Sequence, residues 1–245
     1  MKVVQQAAVA EVQSELFPDF RDLQEDQAAF SRTADSRGAA RLGNLAAAGH
    51  SYDILKRCFD LIGALGLLAL LSPLMIFIAV AIKFSSPGSI VFKQRRLTKG
   101  GKVFTMFKFR TMVSNAESMS GAVWANVRDV RITPFGRIMR ATRLDELPQL
   151  INVIRGEMSL IGPRPERPEM ARDLAQELPG FNRRMEVRAG LSGLAQVSSG
   201  YAACVDSYRV KLAHDLFYVE NRSLVLDLKI ALKTVAVVFT AFGSR

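Results

Sequence analysis

The sequence predicts a mainly helical α+β protein of monotopic membrane type, with a re-entrant helix-break-helix hairpin and a small β-hairpin. The first observation is the run Leu61–Ile82, which has no charged residue and only Ser72 as a polar side chain. An uncharged run of this length is typical of a membrane segment. The second is a pair of strand-like runs around a Gly-Gly loop, and the third is a series of helical patterns after residue 130.

The membrane run has a proline at its centre, in the pair Ser72-Pro73. Proline removes a helix hydrogen bond and clashes with the preceding turn. Basic residues flank both ends, Arg57 before the run and Lys83 after it. Because such residues normally mark the cytoplasmic side, both ends are predicted on that side. We therefore predict a hairpin that breaks at Ser72 and Pro73. The alternative is a spanning helix with a proline kink.

The composition points to an anionic partner. The chain has 245 residues and a net charge of +10, which suits nucleic acid, anionic lipid or a phosphorylated substrate. No aromatic stacking platform or reading motif accompanies the basic residues, so we predict no nucleic-acid partner. The two cysteines lack metal-site spacing and the two histidines are far apart. This pattern disfavours a disulfide scaffold, a zinc site and a histidine base.

A β-hairpin is predicted after the membrane run. Its two strand-like runs flank a Gly-Gly loop: Ile90–Arg96 and Lys102–Met112. Alternation along the second run places Lys108 and Arg110 on one face, with Phe107 and Phe109 on the other. A basic pair beside an apolar face would hold a phosphate at a membrane surface. The alternative is a solvated edge strand whose charges block aggregation.

Helices dominate the rest of the chain. Thr133 is a predicted N-cap with Pro134 at the first helical position, and Arg137 and Arg140 share one face of that helix. Ser114–Arg128 is predicted as helix and loop. Helical spacing also marks three later segments, which are Pro168–Leu178, Val205–Val219 and Leu224–Phe242.

The pair Asp145-Glu146 is the candidate for chemistry. The plain alternative is that Asp145 caps the following helix. Its neighbours favour a functional role, because arginines lie just upstream and Arg164 follows in a stiff Pro-Arg-Pro loop. A carboxylate among arginines stays ionised at pH 7 and can attack phosphorus to form an acyl phosphate. Arginines and Mg²⁺ would neutralise the phosphoryl oxygens.

Several segments, in this order, resemble the bacterial sugar transferase family, the monotopic phosphoglycosyl transferases. They are KRCFDLIGALGLLALLSPLMIFIAVAIKF, FKQRR, KFRTM, DVRITPFGRIMR, RLDELPQLINVIRGEMSLIGPRP and GLSGLAQV. The resemblance covers roughly Tyr52 to Phe242. It implies transfer of a sugar-1-phosphate from a nucleotide sugar, usually UDP-linked, to undecaprenyl phosphate, with UMP released. It also implies initiation of exopolysaccharide, capsule or O-antigen-type glycans. The alternative is a non-enzymatic, polybasic membrane scaffold of a polysaccharide assembly complex.

The same resemblance implies roles for individual residues. Asp145 is expected to carry a covalent phosphosugar, and Glu146 to support the dyad and, with Asp145, to bind Mg²⁺. Phosphate and substrate contacts are expected from Lys108, Arg110, Arg140 and Arg164, with Arg137 added from its position on the helix. Ser72-Pro73 corresponds to the family's hairpin break. Ala189 stands where the family usually has proline.

The predicted organisation has three parts. Residues 1–50 form a variable, partly disordered extension and a candidate homodimer contact. Residues 51–84 form the interfacial and re-entrant helix in the lipid bilayer. Residues 85–245 form a catalytic domain on the cytoplasmic face of the bacterial inner membrane, ending in an interfacial helix.

Overall fold

The computed structural model describes residues 42–85, 87–113, 131–198 and 205–240. The helices of this part are α1 (Leu42–Ser85), α2 (Pro134–Ala141), α3 (Gln149–Ile154), α4 (Pro168–Glu177), α5 (Leu194–Ser198), α6 (Val205–Asn221) and α7 (Leu224–Thr240). The strands are β1 (Val91–Leu97), β2 (Val103–Phe109), β3 (Ser159–Ile161) and β4 (Gly190–Ser192). The mainly helical α+β class is therefore confirmed.

Two predicted segments lie outside the described residues. They are residues 1–41 of the extension and the segment Ser114–Arg128. The chain divides into two compact units, Met1–Leu55 and Lys56–Arg245. The described part of the first unit is the beginning of α1, and every contact reported below lies within the second unit.

Helix α1 continues through the Ser72-Pro73 pair, with Pro73 inside the helix. The predicted interruption at this pair is not seen. A proline at position 73 cannot donate to the carbonyl of Ala69, its partner four residues earlier. The Ser72 hydroxyl donates to that carbonyl instead, at 2.9 Å. The serine thus replaces the hydrogen bond that the proline removes, which is how prolines are tolerated in apolar helices.

Within the second unit, the apolar run of α1 packs near both of its ends on other elements, while much of its middle is exposed. Ala64 belongs to a core cluster with Leu150 and Val153. Ile78 and Ile82 belong to another cluster, with Phe109 and Met139. Large apolar side chains between and around these contacts are exposed: Ile62, Leu65, Leu70, Ile76 and Phe77. By length and composition the segment Tyr52–Ser85 could cross a membrane, and only 11% of its most apolar window is buried.

The predicted β-hairpin is confirmed. Strands β1 and β2 pair in antiparallel register from Val91 opposite Phe109 to Leu97 opposite Val103. Gly100 and Gly101 both have φ of +69° in the connecting turn, a conformation that favours glycine. Strand β2 buries Phe104 and Met106, which share a face with Lys108 by alternation. The apolar core therefore lies on the lysine side of β2, not only on the Phe107 side as expected.

Helix α2 begins as predicted. The Thr133 side chain accepts a hydrogen bond from the Gly136 amide at 2.9 Å, with Pro134 at the first helical position. A Cβ on Gly136 would lie 2.1 Å from the carbonyl oxygen of Thr111. Glycine therefore allows the start of α2 to lie directly against the chain that leaves β2.

A second, parallel sheet was not predicted. Ser159 of β3 pairs with Gly190 of β4, and Ile161 pairs with Ser192. Each strand has three residues, too few for a readable alternation. A Cβ on Gly190 would lie 2.2 Å from the Gly162 amide nitrogen. This close backbone approach fixes the position of the loop that begins at Gly162.

Helices α6 and α7 close the described chain, near the predicted boundaries. Helix α7 buries Leu226 and Ile230. Its outer face exposes Val225, Leu228, Leu232, Val235 and Val238. Such a face is typical of an interfacial helix, and membrane contact by α7 stays a prediction.

Candidate active site

The Asp-Glu pair lies in a tight turn between α2 and α3. Arg143 adopts φ of 57° just before it, a left-handed conformation that costs a non-glycine residue about 1–2 kcal/mol. The next three residues, Leu144–Glu146, form a 3₁₀ turn. Strain of this kind concentrates at functional sites. Here the left-handed conformation of Arg143 turns the chain sharply, so that both carboxylates lie beside the end of β2.

Glu146 is held by two cations. Its Oε1 accepts from Lys108 Nζ at 3.0 Å and from Arg164 Nη2 at 2.5 Å. A longer contact of 3.4 Å joins Arg164 Nη1 to Oε2. Burial opposes ionisation of Glu146, but the charges and hydrogen bonds of Arg164 and Lys108 outweigh it and hold its pKa far below the ordinary value. Glu146 is therefore a fixed anion that organises Lys108 and Arg164.

Asp145 is in the opposite situation. It is 8% exposed, and within the described part of the chain its carboxylate has no hydrogen bond or ion pair. Burial, supported by the charge of Glu146, raises the pKa of Asp145 to about 6, against the opposing charges of Lys108, Arg140 and Arg164. A pKa of about 6 still leaves the carboxylate mostly ionised at pH 7. An ionised and unpaired carboxylate retains its nucleophilicity.

The structure does not support the capping alternative for Asp145. Helix α3 begins at Gln149, and its N-cap position is Pro148, without a side-chain cap. Asp145 lies earlier, inside the 3₁₀ turn. The edge-strand alternative fails for Lys108 as well, because its side chain is only 15% exposed and is paired with Glu146.

The other predicted arginines have different surroundings, and Arg140 is the one whose charge acts on the dyad. Arg140 Nε donates to Thr111 Oγ1 at 2.9 Å, and its charge acts on Asp145. Arg110 Nη1 donates to the carbonyl of Pro87 at 3.0 Å. Arg137 is exposed on α2. Arg143 was not among the predicted site residues. Burial lowers its pKa, and the charges of both carboxylates oppose that shift.

Arg164 connects the dyad to an open cleft. Arg164 forms part of the wall of this cleft, whose volume of about 370 Å³ includes open solvent. Sequence reasoning missed its other polar lining residues, which are Glu166, Arg184, Gln196, Tyr208, Lys211 and Asp215. Only Gln196 lies in a quoted motif, GLSGLAQV. No motif marks the others, because they come from separate elements that only the fold brings together.

Two carboxylates at this centre, those of Asp145 and Glu146, could hold a metal ion. Among the described residues there is no cluster of three or more His, Cys, Asp or Glu side chains. Mg²⁺ is commonly bound by one or two carboxylates together with substrate phosphates. Asp145 and Glu146 fit that pattern, and Asp145 is the more available ligand because Glu146 is engaged by Lys108 and Arg164.

Fold and site together define a class: a protein with one long apolar helix and a buried carboxylate dyad surrounded by cations. Residues 51–241 match the bacterial sugar transferase family, and the chain belongs to that family. This confirms the resemblance seen in the motifs.

Three relatives illustrate the similarity. The UDP-N-acetylgalactosamine-undecaprenyl-phosphate N-acetylgalactosaminephosphotransferase of Aeromonas hydrophila is 45% identical over 79% of this chain and 46% of the relative. The UDP-glucose:undecaprenyl-phosphate glucose-1-phosphate transferase of Caulobacter vibrioides is 42% identical over 78% of this chain and 72% of the relative. The exopolysaccharide production protein PSS of Rhizobium leguminosarum bv. phaseoli is 41% identical over 74% and 94%. The chain thus spans about half of the Aeromonas protein and most of the other two.

Proposed function

We propose that this protein transfers a sugar-1-phosphate from a UDP-sugar to undecaprenyl phosphate and releases UMP. The product, an undecaprenyl-diphosphate-sugar, would begin an exopolysaccharide, capsule or O-antigen-type glycan. The observation that carries the proposal is the contrast between two adjacent carboxylates, since Glu146 is locked by two cations while Asp145 is unpaired. Adjacent acids with divergent pKa values are typical of sites in which each has its own role.

The reaction proceeds in two displacements at one phosphorus. An Asp145 carboxylate oxygen attacks the β-phosphorus of the donor, the bond from that phosphorus to the bridging oxygen breaks, and UMP leaves with the oxygen. The sugar-phosphate is then held on Asp145 as an acyl phosphate. An oxygen of undecaprenyl phosphate attacks the same phosphorus, and the Asp145 carboxylate leaves unchanged.

The cations around the dyad stabilise the charge on the phosphoryl oxygens. Lys108 and Arg164 contact Glu146 directly, and Arg140 lies close enough for its charge to lower the pKa of Asp145. We assign phosphate contacts to these three residues. Arg110 and Arg137 complete the set, Arg137 from an exposed position suited to an acceptor head group.

Mg²⁺, held by Asp145 and Glu146 together with the donor phosphates, would supply further charge neutralisation and orient the diphosphate. The remaining work belongs to the chain itself. Glu146 keeps Lys108 and Arg164 directed at the centre, and the buried turn keeps water away from the acyl phosphate.

We place the donor beside Arg164. From phosphates at the dyad, the rest of a nucleotide sugar would extend past Arg164 into a space lined by Tyr208, Lys211 and Gln196. These side chains offer a cation, a phenol and an amide to a polar ligand. The Aeromonas and Caulobacter relatives are named for different sugars, so the sugar used by this chain is a question for assay.

The contacts of α1 support the re-entrant hairpin. Ala64, near one end of the apolar run, and Ile82, at the other, both pack on the second unit. As a straight helix, the run Leu61–Ile82 would be about 33 Å long, close to the thickness of a bilayer core. If one compact unit holds both ends, both ends lie on the same membrane face. We propose the cytoplasmic face of the inner membrane. Tags at both termini that report the cytoplasm would agree, and tags on opposite sides would restore the spanning helix.

The test of the activity is release of UMP from a panel of UDP-sugars by the full chain in lipid particles that contain undecaprenyl phosphate and Mg²⁺. Asp145→Asn should lose essentially all turnover, whereas Asp173→Asn, an exposed aspartate of α4, should keep it. Without acceptor, mass spectrometry should find the phosphosugar on the peptide that contains Asp145. No release with any UDP-sugar would favour the scaffold alternative.

A further inference from the structure

We infer that Arg96 and Arg184 are positioning residues that fix the Pro-Arg-Pro loop (Pro163–Pro165), and through it the Arg164 guanidinium, against Glu146. The inference rests on the proposed function, because that function assigns Arg164 to the reacting phosphates. The two arginines form a charged cluster with Glu166 and Asp215, which we call the arginine clamp.

The first observation concerns the loop backbone. Four consecutive carbonyl groups, from Pro163 to Glu166, each accept a hydrogen bond from a distant part of the chain. Backbone amides hold the two outer ones, Gly190 N to Pro163 O at 2.8 Å and Leu97 N to Glu166 O at 3.0 Å. Arginine side chains hold the two inner ones. Arg184 Nη2 donates to Arg164 O at 2.9 Å, and Arg96 Nη1 donates to Pro165 O at 3.0 Å.

The inner carbonyls need side-chain donors because the loop cannot supply its own. Prolines at 163 and 165 have no amide hydrogen, and their rings fix φ. The loop is therefore stiff but makes few local bonds. Its position depends on the groups that hold it from outside, and Arg184 holds the carbonyl of the functional arginine itself.

The second observation concerns the charges that hold the clamp. Arg184 is 7% exposed. Its Nη2 donates to Asp215 at 2.6 Å, and its Nη1 lies 3.5 Å from Glu166. Arg96 Nη1 lies 3.7 Å from the other Glu166 oxygen, while its Nε and Nη2 donate to Gln94. Glu166 thus bridges the two guanidinium groups, and Asp215 anchors the more buried one.

A lysine cannot replace either arginine in this arrangement. Arg184 uses one planar fork to reach a carbonyl and two carboxylates, whereas an ammonium group is a single point with three rotatable donors. A lysine at position 184 could not keep all of these contacts, and the Arg164 carbonyl would lose its hydrogen bond. Arg164 would then move away from Glu146, and a misplacement of about 1 Å can reduce the rate by about 100-fold.

The test compares Arg184→Lys with Arg183→Lys. Arg183 is the adjacent arginine of the same turn, but it is exposed and pairs with Glu186 and Glu220, so its variant should keep wild-type turnover. Arg184→Lys should lower kcat about 10- to 100-fold. Arg96→Lys is the second variant if Arg184→Lys does not fold, and it should lower kcat in the same direction.

A second readout separates positioning from a general loss of stability. Arg164 is paired with Glu146, so withdrawal of Arg164 would free its guanidinium group for chemical modification. Labelling of Arg164 with phenylglyoxal, followed by peptide mass spectrometry, reports that release even without turnover. Faster labelling of Arg164 in Arg184→Lys, absent in Arg183→Lys, is expected.

An unchanged rate of Arg164 labelling, or a kcat that falls only with the folded fraction, would overturn the clamp. These outcomes are distinct from failure of the proposed function, which would show as no UMP release by the wild-type protein.

Discussion

Replacing Asp145 with asparagine should abolish turnover and stabilise the fold at neutral pH. Burial raises the pKa of Asp145 from 3.8 to about 6, so above pH 6 the folded protein carries a charge that the unfolded chain accommodates more easily. This shift corresponds to about 3 kcal/mol at about 1.4 kcal/mol per pKa unit. A neutral asparagine of the same shape avoids that cost. The gain in stability of Asp145→Asn should decrease as the pH falls from about 6 to about 4. In that range the wild-type carboxyl group becomes protonated in the folded state, so the charge that the asparagine avoids is no longer there.

The assay is thermal unfolding in lipid particles at about pH 8 and about pH 4.5, with Asp173→Asn as the exposed control. For a protein of this size, about 3 kcal/mol raises Tm by on the order of 5–10 °C. We expect that increase for Asp145→Asn at the higher pH and about a third of it at the lower one. A lower Tm than wild type at pH 8 would refute the reasoning. It would indicate that Asp145 makes a stabilising contact, as the scaffold alternative requires.

Three further outcomes are expected. Lys108→Met removes the charge that most strongly lowers the pKa of Asp145. The acid limb of kcat/KM against pH should therefore move up by about one unit. Lys102, exposed on the same hairpin, is the control, and Lys102→Met should leave the acid limb in place. Gly136→Ala forces a Cβ against the Thr111 carbonyl and should destabilise the fold by about 3 kcal/mol or more, measured as a loss of Tm. Chelation of Mg²⁺ with EDTA should stop UMP release, and added Mg²⁺ should restore it.

The elements that sequence reasoning located correctly are those with a local physical cause. Thr133 and Pro134 start a helix because a side-chain oxygen caps it and the proline ring suits its first position. Gly100 and Gly101 connect two strands because their positive φ suits the turn. Both causes act within a few residues, so the order of residue types reveals them directly.

The predicted break at Ser72-Pro73 shows that the effect of a proline on a helix cannot be judged from the proline alone. The prediction used only the hydrogen bond that Pro73 cannot make, and it therefore ended the helix at this pair. It left out the neighbouring side chain, the Ser72 hydroxyl, which donates to the Ala69 carbonyl in place of the lost bond. The re-entrant path proposed above would therefore require a bend in a continuous α1 rather than an interruption of the helix.

The difference between the two carboxylates could not be predicted from the sequence, because Asp145 and Glu146 have the same neighbours along the chain. The residues that make their surroundings different come from distant parts of the chain. Lys108 comes from β2, 38 residues before Glu146, and Arg164 comes from a loop 18 residues after it. Both cations reach the glutamate and leave the aspartate unpaired. The difference between a paired and an unpaired carboxylate is therefore made by the fold, through the β-hairpin on one side and the Pro-Arg-Pro loop on the other.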